Sequence, residues 1–354
     1  MSNIKIGHKE VGQSQYPFII AEMSGNHNQS LDRALKIVEA AADAGVDAIK
    51  IQTFTADSMT LNIGTGDFLI DDPNNPWNGQ SLYELYGKAA TPFEWHEKIF
   101  KRSKELGLVA FSSPFDATAV DFLEELGAPC YKIASSENVD IPLIKKVSST
   151  GKPVIISTGM ATLEEVSDAV ETAKSAGCND LILLKCTCSY PSSPSESNIL
   201  TIPDLKNRFG VQVGLSDHTL GIGVAVASVS LGAVCIEKHL TLSKADGGVD
   251  ADFSLEPAEF KHLVTETRRA WESLGNVSYG PSESEKQYKK YRRSIYVAED
   301  LKQGDKFSSD NLRCIRPGLG LPPKHFEQLL GRTAACDISK GTALSWELVE
   351  EVEK

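Results

Sequence analysis

Val213-Gly-Leu-Ser-Asp-His-Thr219 runs from aliphatic residues straight into three polar ones, and Val234-Cys-Ile-Glu-Lys-His-Leu240 repeats the pattern one segment later. Both stretches have the length and composition of buried strands, and each ends on a histidine, His218 or His239. Earlier apolar runs of the same kind occupy Phe18–Met23, Asp47–Phe54, Val109–Phe115, Cys130–Ser136, Pro153–Gly159 and Leu181–Thr187. Helix-like segments with a 3.6-residue period separate them, among them LDRALKIVEAAADAG and TLEEVSDAVETAKSAG, and EPAEFKHLVTETRRAWESLG follows the last run. Most close on glycine, as helix C-caps do. Eight strand-helix units over the first 275 residues predict a (β/α)8 TIM barrel in the α/β class. An open doubly wound sheet is the alternative.

Strand parity then sorts the side chains. In Asp47-Ala-Ile-Lys-Ile-Gln52 the isoleucines belong against the helices, so Lys50 and Gln52 point into the barrel. The same test turns Lys132, Ser216, His218, Glu237 and His239 inward, and Glu22 shares a face with Ile20. Lys185 stays ambiguous. A buried charge costs several kcal/mol unless it is paired or used, so this many polar groups at the catalytic end of a barrel point to a site. The lysines favour an anionic ligand, with Ser113, Ser135, Ser157 and Ser216 placed to hydrogen-bond a phosphate. Neighbouring strands lie about 4.8 Å apart, so His218 and His239 can share one divalent cation and leave positions open for water and substrate. That donor set suits a Lewis-acid metal such as Mn²⁺ better than a closed structural zinc. Asp217 is expected to orient one ligand.

The chain has 354 residues, 41% of them hydrophobic and 24% charged, as in an ordinary globular protein. No apolar run approaches the roughly 18–20 residues of a membrane span, and MSNIKIGHKEVGQ lacks the apolar centre of a signal peptide. Seven cysteines without framework spacing point to reduced thiols and a cytoplasmic location. A net charge of −12 argues against nucleic acid but not against a small anion met by local cations.

The connection from Thr55 to Ala90 is too long for routine βα traffic and carries Trp77, Tyr83 and Tyr86, an arrangement suited to substrate binding. After Gly275 the polar NVSYGPSESEKQYKKY reads as a linker over 276–292. Beyond it VAEDLKQGDKFSSDNL is echoed by AACDISKGTALSWELV, which predicts a small β-rich domain over 293–354 with pseudo-twofold symmetry.

AEMSGNHNQS, KIQTF, FSSPFD, YKIASSE, ISTGM, CTCSYP, GLSDHT and EKHLTL, in that order, resemble the sialic acid synthase family, whose members condense phosphoenolpyruvate with an amino-sugar to form nonulosonic acids. RRSIYVAEDLKQG and IRPGLGLPP look like that family's antifreeze-like (SAF, β-clip) domain, so the resemblance spans essentially the whole chain. It implies that His218 and His239 bind Mn²⁺ or Mg²⁺ and that Glu22 is the catalytic acid/base. It also implies that Lys50, Ser113, Lys132, Ser135 and Ser216 hold phosphoenolpyruvate, while Gln52, Tyr190 and Asp250 contact the sugar. Arg316 would reach from one subunit into the barrel of another, making a domain-swapped homodimer. Cys188 departs from the Asn of N-acetylneuraminate synthases, and the segment from Trp77 to His96 resembles the pseudaminic acid branch, whose substrate is a 6-deoxy, 2,4-diacetamido sugar.

Two other readings remain at this point. A Schiff-base aldolase would use Lys132 or Lys185. A carbohydrate- or ice-binding module would rest on the C-terminal domain and leave the polar barrel mouth without a purpose.

Overall fold

The computed structural model describes residues 1–351 apart from 74 and 76. Residues 74 and 76 fall within the long connection after the second strand run, and 352–354 end the C-terminal segment; expectations for them lie outside the described residues. Two compact units emerge, Met1–Gly275 and Asn276–Lys354.

In the first unit, strands β1 Phe18–Glu22, β2 Ala48–Thr53, β3 Val109–Pro114, β4 Tyr131–Ile133, β5 Val154–Ser157, β6 Leu181–Cys186, β7 Gln212–Asp217 and β8 Cys235–His239 close into a parallel barrel. Closure comes from β8 pairing with β1, Cys235 opposite Phe18 and His239 opposite Glu22, which rules out the open sheet. The returning helices are α1 Leu31–Ala44, α2 Phe93–Glu105, α3 Ala117–Glu125, α4 Ile141–Ser148, α5 Leu163–Ser175, α6 Thr201–Phe209, α7 Gly223–Ser230 and α8 Pro257–Leu274. Local chemistry starts and stops them. Ser30 caps α1 by accepting from Arg33 N–H, and Thr162 and Glu165 form a capping box on α5. Gly45 ends α1 at φ 83°, a left-handed conformation that costs glycine little.

Parity divides the hydrophobic residues into two cores. Outward positions such as Ile49, Ile51, Val213, Leu215 and Ile236 pack under the helices. Inward positions near the strand starts, including Phe18, Ile20, Phe111, Ile155 and Ile182, fill the barrel's lower half. Further along the same strands the inward residues turn polar. Gly214, inward on β7, has no room for a Cβ, which would collide with the Cys235 carbonyl; its absence lets β7 and β8 approach closely.

One element escaped the sequence reading. A hairpin, Ile4–Ile6 paired with Lys9–Val11, adds Ile4, Ile6 and Val11 to the inner core and stoppers the barrel's lower end. The long connection is also more ordered than its composition implies, holding short helices at Ala56–Met59 and Leu82–Ala89. The latter begins with a capping box of Ser81 and Glu84.

The second unit pairs β9 Ser294–Val297 with β10 Leu312–Ile315. Its core gathers matching positions of the two echoed segments: Val297 with Ala334, Leu301 with Ile338, Leu312 with Val349. Leu301 and Ile338 exchange both backbone hydrogen bonds at 2.8 Å, and Gly304 N–H to Ala334 O is mirrored by Gly341 N–H to Val297 O. Such reciprocity is what a pseudo-twofold axis requires. Among the described residues no helix is long and apolar enough to cross a membrane.

Candidate active site

The strand ends open into a cavity of about 390 Å³ lined by Glu22, Lys50, Gln52, Lys132, Ser135, Ser157, Tyr190, Ser216, His218, Glu237, His239 and Asp250. Ser113 stands one layer behind, where its hydroxyl accepts from Lys50 Nζ at 3.2 Å. Arg316 belongs to the second unit, exposed just beyond β10.

Lys50 is the hub of the floor. Its ammonium lies 3.0 Å from Glu22 Oε2 and 3.5 Å from Glu237 Oε1, with all three side chains buried. Lys132 approaches the same Glu237 oxygen at 3.9 Å, and the Ser216 hydroxyl donates to it at 3.3 Å. Gln52 Nε2 donates to Glu22 Oε1 at 2.9 Å and to Ser24 Oγ at 3.0 Å. The two carboxyls are driven apart in acidity. Burial raises the pKa of Glu22, which Lys50 offsets only in part. Burial also acts on Glu237, but Lys132 and Lys50 together hold it below the ordinary carboxylate value. One carboxyl is suited to carry a proton and the other to stay ionised, the usual division between acid-base group and electrostatic anchor.

His218 and His239 stand side by side with ring centroids 5.3 Å apart. Burial lowers both pKa values, so both rings are neutral near pH 7. His218 Nδ1 donates to the Thr187 carbonyl at 2.9 Å, which sets the tautomer and leaves Nε2 as an acceptor. His239 Nδ1 is buried without a hydrogen-bond partner, 3.6 Å from Asp250 Oδ2. Two neutral imidazoles side by side, offering nitrogen lone pairs into the cavity, suit a divalent cation. Among the described residues no group of three or more His, Cys, Asp or Glu is placed to hold a metal ion, so a cation on the two histidines would take its remaining ligands from water and substrate.

The upper wall is apolar. Phe54, Met59, Ile70, Leu85, Tyr86 and Phe115 line one side, and Trp77 closes the rim with its ring 6.2 Å from that of Tyr190. Trp77 Nε1 donates to the Val249 carbonyl at 3.0 Å, tying the long connection to the loop after β8. Cys188 packs its sulfur 3.9 Å from Cys186, beside Gly159, where a Cβ would collide with it.

The NeuB family model matches residues 37–279, most of the barrel unit, and a SAF domain matches residues 292–350. This chain belongs to the NeuB family. It is 44% identical to the pseudaminic acid synthase of Campylobacter jejuni subsp. jejuni serotype O:2 over 327 residues, covering 92% of this chain and 95% of that one. Identity to the pseudaminic acid synthase of Helicobacter pylori is 40%, covering 95% and 98%. In structure it is similar to the N-acetylneuraminic acid (sialic acid) synthetase of Leptospira borgpetersenii serovar Hardjo-bovis, solved in complex with citrate. The TM-score is 0.72 with 32% identity, over 82% of this chain and 96% of that one.

Against this NeuB framework several expectations need correction. Asp217 hydrogen-bonds neither histidine ring: it lies on the outer face of β7, where its carboxylate accepts from Lys238 Nζ at 2.8 Å. Lys185 shares the outward parity of Leu181 and Leu183 and donates to the Cys186 carbonyl at 2.7 Å, away from the cavity. Tyr83 turns out to Asp57, and His96 is buried on α2 against Thr53. Neither lines the cavity. Glu137 went unnoticed although it stands in the quoted YKIASSE. It lines the cavity from a short 3₁₀ turn after β4, and burial pushes its pKa up to about 7.

Proposed function

We propose that this NeuB-family chain is a pseudaminic acid synthase. In this reading it condenses phosphoenolpyruvate with 2,4-diacetamido-2,4,6-trideoxy-altrose and releases phosphate. The observation that carries it is the partition of one cavity between a cationic floor, Lys50 and Lys132, and an apolar wall from the long connection. The floor suits the phosphate and carboxylate of phosphoenolpyruvate; the wall suits a sugar with a methyl group where others carry a hydroxymethyl. The 44% identity to a pseudaminic acid synthase across 92% of the chain supports the choice of sugar.

Lys50 and Lys132, with hydroxyls from Ser135, Ser157 and Ser216, neutralise the phosphate and carboxylate, and Ser113 supports the Lys50 ammonium from behind. Gln52, Tyr190 and Asp250 orient the open-chain sugar. Carbon 3 of phosphoenolpyruvate adds to the aldehyde carbon, and the positive charge left at carbon 2 is taken up by water. The resulting tetrahedral phosphate adduct then loses phosphate by C–O cleavage. Glu22, the carboxyl with the raised pKa, moves the protons between the sugar oxygen and the attacking water. His218 and His239 would hold a divalent cation, Mn²⁺ or Mg²⁺, which when bound withdraws electron density from a carbonyl oxygen. The protein would act in the cytoplasm as a homodimer, Arg316 of one copy reaching the barrel of the other. The Schiff-base alternative loses Lys185 to the outer face and retains only Lys132.

The test is phosphate release from phosphoenolpyruvate and Mn²⁺ with three acceptors: the altro sugar, its gluco isomer that leads to legionaminic acid, and N-acetylmannosamine. Release confined to the altro sugar is expected. Turnover of another acceptor would move the specificity to a legionaminic or N-acetylneuraminate synthase, and no release with any would overturn the synthase reading.

A further inference from the structure

Lys238 has no exposed side-chain surface, and its partner Asp217 has 2%. Neither lines the cavity. They sit opposite each other where β7 and β8 finish, on the face turned toward the helices and among aliphatic residues such as Leu215, Ile236 and Leu240. The Lys238 ammonium donates to Asp217 Oδ2 at 2.8 Å and to the Thr219 carbonyl at 2.6 Å, and Asp217 Oδ1 accepts the Thr219 N–H at 2.9 Å. Asp217 and Thr219 are the two neighbours of His218, and Lys238 immediately precedes His239. One buried ammonium therefore grips the chain on both sides of the first histidine from the residue next to the second.

Stability alone does not account for it. Replacing a buried ion pair with apolar residues of similar volume is often neutral or stabilising. What an aliphatic pair cannot do is hold two strand ends where the backbone ladder runs out: the β7–β8 register ends at Lys238 opposite Asp217. We propose that Asp217 and Lys238 are a positioning pair that sets the spacing of His218 and His239 for a divalent cation. The inference rests on the metal reading of those histidines given above.

The experiment measures Mn²⁺ affinity by the electron paramagnetic resonance of free Mn²⁺, together with thermal melting, on the full chain. Asp217→Val with Lys238→Met removes both charges at once and should keep the melting temperature close to that of the unaltered protein. Its Mn²⁺ affinity should fall about tenfold to a hundredfold, the range seen when groups supporting metal ligands are removed. Ile236→Val, on the same face with no link to either histidine, should leave Mn²⁺ affinity unchanged. A folded double variant with unchanged affinity would overturn the pairing role. Should it fail to fold, Asp217→Asn is read the same way, and loss of folding in both would mark the pair as structural and overturn the proposal. Absence of Mn²⁺ binding by the unaltered chain would instead sink the metal reading itself.

Discussion

Glu22 and Glu237 share Lys50 and yet titrate in opposite directions, because Glu237 has two lysines beside it and Glu22 has one. Glu22→Gln keeps the shape and the hydrogen bond to Gln52 but removes the proton. Turnover should fall by roughly 10²–10⁴-fold while calorimetric binding of phosphoenolpyruvate is retained. An equal loss of binding would reassign Glu22 to holding the ligand. Most of this constellation could be read from parity, since β2 alternates between aliphatic and polar residues from Ala48 to Gln52. The misses have a physical cause. Leu181–Cys186 is aliphatic on both faces, so nothing in its pattern says where Lys185 points. Glu137 follows the end of β4, where strand periodicity no longer applies. Asp217, adjacent to a histidine in sequence, reaches no histidine ring directly because neighbours on a strand face opposite ways.

At the scale of elements, the long connection and α2 make separate claims. Trp77 closes the cavity rim and anchors its own loop on Val249. Trp77→Ala should therefore raise the KM for the sugar about tenfold, as loss of a buried aromatic contact of about 1–1.5 kcal/mol implies, and leave the KM for phosphoenolpyruvate alone. A parallel rise in both would make the loop a general lid. On α2, His96 is buried against Thr53, and His27 is buried against Thr91 and the ring of Trp95; burial lowers the pKa of each from 6.5 to about 4. Above pH 6.5 both states are neutral, and below it the unfolded chain takes up protons that the folded one refuses. Stability is therefore full above pH 6.5 and lost as pH falls toward 4, by roughly 3 kcal/mol per ring. Urea denaturation at a series of pH values checks this, and His96→Gln should flatten the slope. An unchanged slope would place the acid sensitivity elsewhere. The hairpin Ile4–Ile6 with Lys9–Val11 was missed because its strands are too short for alternation to stand out, although the glycine turn in IKIGHKEV marks it.

The whole molecule consists of two units, each with its own core. Both were legible, the barrel from its repeated units and the smaller one from the internal echo, because repetition survives where single elements are ambiguous. If Arg316 serves the other copy's barrel, Glu22→Gln and Arg316→Ala chains, each inactive alone, should regain part of the turnover when mixed and allowed to exchange. Such a heterodimer contains one barrel with Glu22 intact and an Arg316 supplied by the other chain; no recovery would argue for sites complete within one chain. The stoppered lower end has its own consequence. The inner core and the hairpin leave the barrel a blind alley, so everything enters and leaves by the rim that Trp77 guards. Traffic in a blind alley forms a queue: if phosphoenolpyruvate seats on the lysines as proposed, it must arrive first, and the sugar, seated after it, would bar its retreat. Isotope trapping should show bound phosphoenolpyruvate committed to product once the sugar is present, whereas free exchange past bound sugar would mean a second way out.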